Sequence, residues 1–261
     1  KEKLSADAYQ VRRFEVWAAP VAPENPVHGK WIGGAGPDMS TPGNWEDGVT
    51  PVTGDALDFS GITAAATINC DIDASFSDTS KVAVGANSTV TIDGDLVFGT
   101  NVESYVCRYV FEGGKFVVTG DIIATPEQTG NLYPCQNAPG WISAKGLVNN
   151  AAGDKFYLVQ ADNGNWQANW LIGEDGISGA YRYNVGALGK GNATIKATAD
   201  FAVSSVIIQR HNLVLVPDGH VITLGTSVAA NAGGIISGGD NGLTTVTGPG
   251  KVVVNYNVTN L

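Results

Sequence analysis

Apolar residues come in short runs along most of this chain, and each run is closed by glycine, asparagine or aspartate. TINCDI (67–72), KVAVG (81–85), STVTID (88–93), DLVFG (95–99) and KFVVTGDII (115–123) set the pattern. It returns after residue 190 as ATIKAT (193–198), FAVSSVII (201–208), NLVLV (212–216), HVITLG (220–225), LTTVTG (243–248) and KVVVNYNV (251–258). Short β-branched runs bounded by Gly-Asp, Asp-Gly and Asn-Gly predict strands and tight turns. No window of about 11 residues carries a helical period. The chain is therefore predicted to be all-β.

The spacing of the strands chooses between two architectures. FAVSSVIIQRHNLVLVPDGHVITLG packs three strands into residues 201–225, each a nearly continuous apolar run rather than a clean alternation. That suits strands stacked above and below one another over a shared core, with small or polar residues at the corners. The reading is a right-handed parallel β-helix, and the alternative is a two-sheet β-sandwich.

Two regions depart from the pattern. Residues 1–29 read as an N-terminal arm and a Pro-rich linker, with Pro20, Pro23 and Pro26 at three-residue spacing and an extended backbone to match. Within the arm, AYQVRRFEVW (8–17) has the texture of a strand that pairs with a neighbouring subunit. Residues 30–261 form the β-helical domain, with an irregular, aromatic-rich excursion near 125–190.

Composition sharpens this picture. The 34 glycines among 261 residues favour turns over helices. A net charge of −10, with the 15 Lys and Arg scattered, disfavours nucleic acid and anionic membrane surfaces, which require a basic face. No apolar run reaches the length of a transmembrane segment. The chain opens at Lys1 without Met or a signal-peptide pattern, which reads as a mature form or an excised piece. Three cysteines, Cys70, Cys107 and Cys135, allow one disulfide at most. Cys107 and Cys135 are the pair nearest in sequence, and three quiet buried thiols are the alternative.

WIGGAG…STPGNWEDGVTPVTGDALDFSG (31–61) resembles the opening repeat of autotransporter-type passenger domains. In that repeat a Trp-x-Gly-Gly start leads to Asn-Trp, then a Gly-x-x-Pro turn, then Gly-Asp before an apolar-Phe strand. Trp31, Gly33, Gly34, Asn44, Trp45, Gly48, Pro51, Gly54, Asp55 and Phe59 fit in order. GLTTVTGPGKVVVNYNV (242–258) is similar to the passenger-associated β-strand repeat through Gly242, Leu243, Gly248, Gly250, Val252 and Val254, and departs from it at Thr245, where Lys is usual. WLIGEDGIS (170–178) looks like an internal rung start. The resemblance covers both ends and about a third of the chain. It implies a β-helical protein of the cell surface or extracellular space, either a passenger piece or a stand-alone relative without room for the C-terminal membrane barrel. It carries over no catalytic residue.

Candidate chemistry is sparse. GGAGPD (33–38) fits a single calcium-binding nonapeptide turn, but such a site needs tandem copies. The favoured parse makes Trp31, Gly33, Gly34, Asn44 and Trp45 a structural cap over the open end of the core, where an uncovered edge is a hazard. Asp71 with Asp73, and Asp93 with Asp95, place two carboxylates on one strand face. They are candidate calcium ligands, and solvated Asp-Gly turns are the favoured reading. No other cofactor is implied. Ser204 or Ser205 with His211 and Asp218 lacks the nucleophile elbow a hydrolase of that kind would carry. Trp141, Trp166, Trp170, Tyr181 and Tyr183 offer flat faces to sugar rings, and core staples are the alternative. The expectation is an extracellular structural protein or adhesin, binding itself in a fibre or array, or binding surface glycans. A carbohydrate-active enzyme (a polysaccharide lyase or glycosidase) and a non-catalytic glycan-binding module are the alternatives.

Overall fold

The structure, a computed structural model, describes residues 29–52, 57–59, 61–62, 65–69, 83–84, 87–98, 107–108, 114–127, 132–133, 140–151, 156–158, 167–179, 181–183, 192–204, 206–209, 212–225, 234–237 and 243–255. The arm at 1–28 lies outside them.

Strands stack in parallel rows. A short pair opens the chain, β1 (Asp58–Phe59) beside β3 (Ala83–Val84). The first row runs β2 (Ala66–Asn69), β4 (Thr89–Asp93), β7 (Lys115–Val118), the first part of β10 (Trp141–Asn149), the first part of β12 (Gln167–Ser178), β14 (Asn192–Ala197), β17 (Asn212–Val216) and β20 (Thr244–Val246). The second runs β5 (Leu96–Phe98), β8 (Ile122–Ala124), the second parts of β10 and β12, β15 (Phe201–Val203), β18 (Val221–Leu224) and β21 (Lys251–Val254). A separate sheet forms the third: β6 (Cys107–Arg108), β9 (Leu132–Tyr133), β11 (Phe156–Tyr157), β13 (Tyr181–Tyr183), β16 (Val206–Gln209) and β19 (Gly234–Ser237).

Every pair of these strands is parallel, and each strand's partner lies a rung away in sequence rather than across a hairpin. That is a parallel β-solenoid, and it rules out the sandwich, which needs antiparallel hairpins. The middle of the chain feeds the same rows: Ile142 pairs with Phe116 and Trp170, and Trp170 with Ile195. Trp166 lies outside the described residues.

The core is built from columns. Val90, Phe116, Ile142, Trp170, Ile195 and Leu215 occupy successive register positions of the first row, and all are buried. Leu96, Ile122, Leu147, Ile177, Val203 and Leu224 do the same in the second. Alternate residues point inward, so each rung adds two or three apolar side chains that seal against the rungs above and below.

Candidate functional site

The polar chemistry of the solenoid concentrates at the corner between the first and second rows. Successive turns there are Asp93-Gly94-Asp95, Thr119-Gly120-Asp121, Lys145-Gly146, Glu174-Asp175-Gly176, Thr198-Ala199-Asp200 and Pro217-Asp218-Gly219. Their side chains reach from rung to rung. Asp95 Oδ1 accepts from the backbone N–H of Asp121 at 2.8 Å. Thr119 Oγ1 donates to Asp93 Oδ1 at 3.0 Å and accepts from the Gly94 N–H at 2.8 Å. The Asp95 carboxylate lies directly over Gly120, where a Cβ would stand 2.0 Å from its Oδ1 and 2.8 Å from Gly94 O. Glycine at 120 is what lets one turn fold onto the next.

The next rung breaks this arrangement. Lys145-Gly146 is one residue shorter than Thr119-Gly120-Asp121, and the register shifts between Ala144 and Gly146. Asp121 Oδ1 is buried without a hydrogen-bond partner. Burial holds the Asp121 carboxyl above the usual carboxylate range, the negative charges of Asp175 and Asp95 add to this, and Lys145 opposes it. Lys145 Nζ sits 3.1 Å from Glu174 Oε1 and 3.6 Å from Asp175 Oδ2. Its hydrogen bond to Glu174 raises the lysine, and the glutamate is lowered first by a backbone hydrogen bond and then by Lys145. Further along, Lys196 Nζ pairs with Asp218 Oδ2 at 2.8 Å, and Asp200 Oδ1 stands 3.5 Å from His220 Nδ1 while accepting from the Val221 N–H at 2.9 Å.

Among the residues singled out from sequence, Asp93 and Asp95 belong to this ladder. Asp71 and Asp73 lie outside the described residues, and no group of three or more His, Cys, Asp or Glu side chains among the described ones is arranged to hold a metal ion. Glu174 and Asp175 come together with Asp121 and Lys145, a grouping that sequence reasoning did not draw. Only a part of it left a trace: Asp93-Gly94, Thr119-Gly120 and Lys145-Gly146 recur at intervals of 26 residues, but Glu174 stands 29 residues past Lys145 and falls out of that period.

The aromatic candidates are dispersed. Trp170 is completely buried, 0% exposed, and its indole N–H donates to Leu158 O at 3.1 Å, so its ring offers no face to a sugar. Trp141 is half-buried at the start of β10. Tyr181 and Tyr183 lie on β13 of the third row, in a different sheet. Cys107 lies on β6, while Cys135 lies outside the described residues, as do Ser205 and His211. Ser204 Oγ donates to Ile177 O at 3.3 Å.

The N-terminal segment has its own geometry. Trp31 N–H donates to Asp58 O, and Asp58 N–H to Gly29 O, so residues 29–31 pair along β1. Asp38 bridges in parallel to Asn69 of β2. Asn44 is buried; its Oδ1 accepts from the Ala35 N–H and its Nδ2 donates to Asp38 O, both at 2.9 Å. Trp45 Nε1 donates to Met39 O at 2.7 Å. Gly33, Gly34 and Gly36 all take positive φ in the loop between the tryptophans, and Asp38 Oδ1 accepts from Asn69 Nδ2 at 2.8 Å.

No family model, no curated protein and no solved structure matches this chain. The chain is defined by its fold, a parallel β-solenoid with a charged ladder along one corner.

Proposed function

We propose that this protein is an extracellular, surface-exposed structural or adhesive β-helix whose body, rather than a catalytic pocket, is its working part, and that it assembles with copies of itself. One observation carries the reading: apart from Asp121, the polar side chains named along the stack bond from rung to rung. Asp93, Asp95 and Thr119 hold neighbouring turns, Thr198 and Ser204 donate to carbonyls of the preceding rung, and Lys145 and Lys196 are paired with carboxylates of later rungs. Side chains committed to rung-to-rung bonds stiffen a solenoid, which suits a rod that bears load or presents a surface. The resemblance of residues 31–61 and 242–258 to passenger domains agrees with a cell-surface place, and the net charge of −10 suits a solubilised exterior.

The test is to coat beads with the protein and measure clumping and adhesion to cell-wall and host glycans, with a turnover assay on acidic and neutral polysaccharides alongside. Clumping or adhesion without turnover is the expected result. Turnover that is lost in Glu174→Gln overturns the reading in favour of a carbohydrate-active enzyme. That second reading has one observation behind it: Asp121, raised by burial, beside the Lys145–Glu174 pair, is the type of perturbed group that marks acid–base sites.

A further inference from the structure

The outer face of the first row differs from the corner beside it. Alternate residues of its strands point away from the core, and rung pairing sets them in columns. Trp141 pairs with Lys115 of β7; because Ile142 pairs with Trp170, Asn169 stands over Trp141 on the other side. Two residues back along β12, Gln167 begins a second column, paired with Asn192, which is paired with Asn212. Neighbouring rungs are about 4.8 Å apart, and the two columns about 7 Å. Hydrogen bonds order them: Asn169 Nδ2 donates to Gly140 O, and Asn212 Nδ2 to Asn192 Oδ1, both at 3.2 Å.

Two properties of this face point to a ligand. The Trp141 ring is half-buried on it, and its indole N–H has no acceptor among the described residues, so part of a flat apolar ring and a free donor meet water together. The charge is inverted as well. The strands β7, β14 and β17 and residues 141–144 and 167–172 contain no Asp or Glu, in a chain that has 25. Of their two lysines, Lys196 is paired with Asp218. Lys115 is exposed and forms no ion pair among the described residues. The carboxylates of Asp121, Glu174 and Asp175 are gathered at the corner instead.

We infer that this face binds a linear acidic polysaccharide, with one sugar ring lying on Trp141 and the carboxylate of a uronic acid unit on Lys115. The inference rests on the adhesive reading above and names its ligand class. The C–H face of a pyranose ring is apolar and stacks on an aromatic plane, while its hydroxyls need hydrogen-bond partners. The amides of Asn169 and Gln167 lie one rung on from Trp141 and that of Asn192 two rungs on, where the next sugar units fall. A glycan that runs across the strands meets Lys115, Trp141 and Asn169 in turn, at a spacing of about 4.8 Å that is close to the length of one unit. An unpaired lysine with no carboxylate on its own face is the charge complement of a uronate. A neutral glycan would leave that lysine without a counter-charge.

Calorimetric titration of the whole chain with hexasaccharides tests this, using galacturonate, mannuronate and hyaluronan as acidic probes and cellohexaose as the neutral one. At least one acidic probe should bind, about tenfold or more tighter than cellohexaose, and should weaken as salt is raised. Trp141→Ala should keep its circular dichroism and lose about tenfold or more in affinity for that probe. Lys115→Gln should bring the acidic probe down to the level of cellohexaose, and Lys115→Arg should retain it. Cellohexaose that binds as tightly as the acidic probes, or affinity unchanged in either Trp141→Ala or Lys115→Gln, overturns the site. So does an absence of binding by every hexasaccharide. In each of those cases bead clumping or adhesion that persists leaves the adhesive reading standing, and its absence ends both.

Discussion

The indole rings of Trp31 and Trp45 meet edge to face, with centroids 5.0 Å apart and planes at 85°. Phe59 packs against both, at 6.3 Å and 6.5 Å, and Phe116 extends the cluster inward. Edge-to-face contact is a favoured aromatic geometry, and here it joins two residues fourteen positions apart across the glycine loop to the first strands. Trp45→Ala should cost about 3–5 kcal/mol by cavity formation. Trp45→Phe keeps a ring but leaves Met39 O without its indole donor, and should cost about 1–3 kcal/mol. Denaturant unfolding of both variants checks the order: a Trp45→Phe chain as stable as the unsubstituted one would mean that the hydrogen bond is irrelevant, and equal losses that the bulk of the ring is.

Two glycines at the corners separate backbone strain from crowding. At Gly176 φ is +70° and an added Cβ would stand 2.2 Å from Ala202 O. At Gly94 φ is +117° with nothing within 4 Å. Gly176→Ala should therefore lose about 3 kcal/mol or more, from strain and overpacking together, whereas Gly94→Ala should lose about 1–2 kcal/mol from strain alone. The comparison is again made by denaturant midpoint.

Asp121 should make stability depend on pH in the sense opposite to a salt-bridged carboxylate. Its folded carboxyl lies above the ordinary range, so the folded state holds that proton more tightly than the unfolded state. Ionising Asp121 costs stability at neutral pH, and the cost disappears as pH falls below the ordinary carboxylate value. Asp121→Asn should raise the thermal midpoint at pH 7 and lose that advantage towards pH 3. Lys145→Ala, which removes the one cation opposing Asp175 and Asp95, should push the Asp121 titration higher still, as read by carboxyl NMR. A titration that moves down instead would contradict the ladder.

Trp170 and Trp141 differ in kind. Trp170→Ala empties a fully buried core position and should cost about 3–5 kcal/mol. Trp141→Ala removes a half-buried ring and should cost about 1 kcal/mol or less. A glycan array separates the roles: loss of binding in Trp141→Ala with its midpoint retained places a sugar on that outer face.

The sequence announced the solenoid through short β-branched runs closed by Gly and Asp, but not how the runs divide. KFVVTGDII reads as one strand and is two, β7 and β8, because Gly120 must leave room for the Asp95 carboxylate. FAVSSVII likewise splits at Ser204 into strands of different sheets. β10, WISAKGLVN, is broken by Ser143, Lys145 and Asn149, and only pairing with β7 and β8 identifies it as strand. The corner cluster was hidden for the same reason. Asp121, Lys145 and Glu174 meet through rung register, and no local spacing displays that.

The most direct test of the account is the mass and shape of the native particle across concentration, by light scattering with negative-stain imaging. The account predicts particles of at least twice the 27.0 kDa chain mass. Compact or rod-like monomers at every concentration would contradict it.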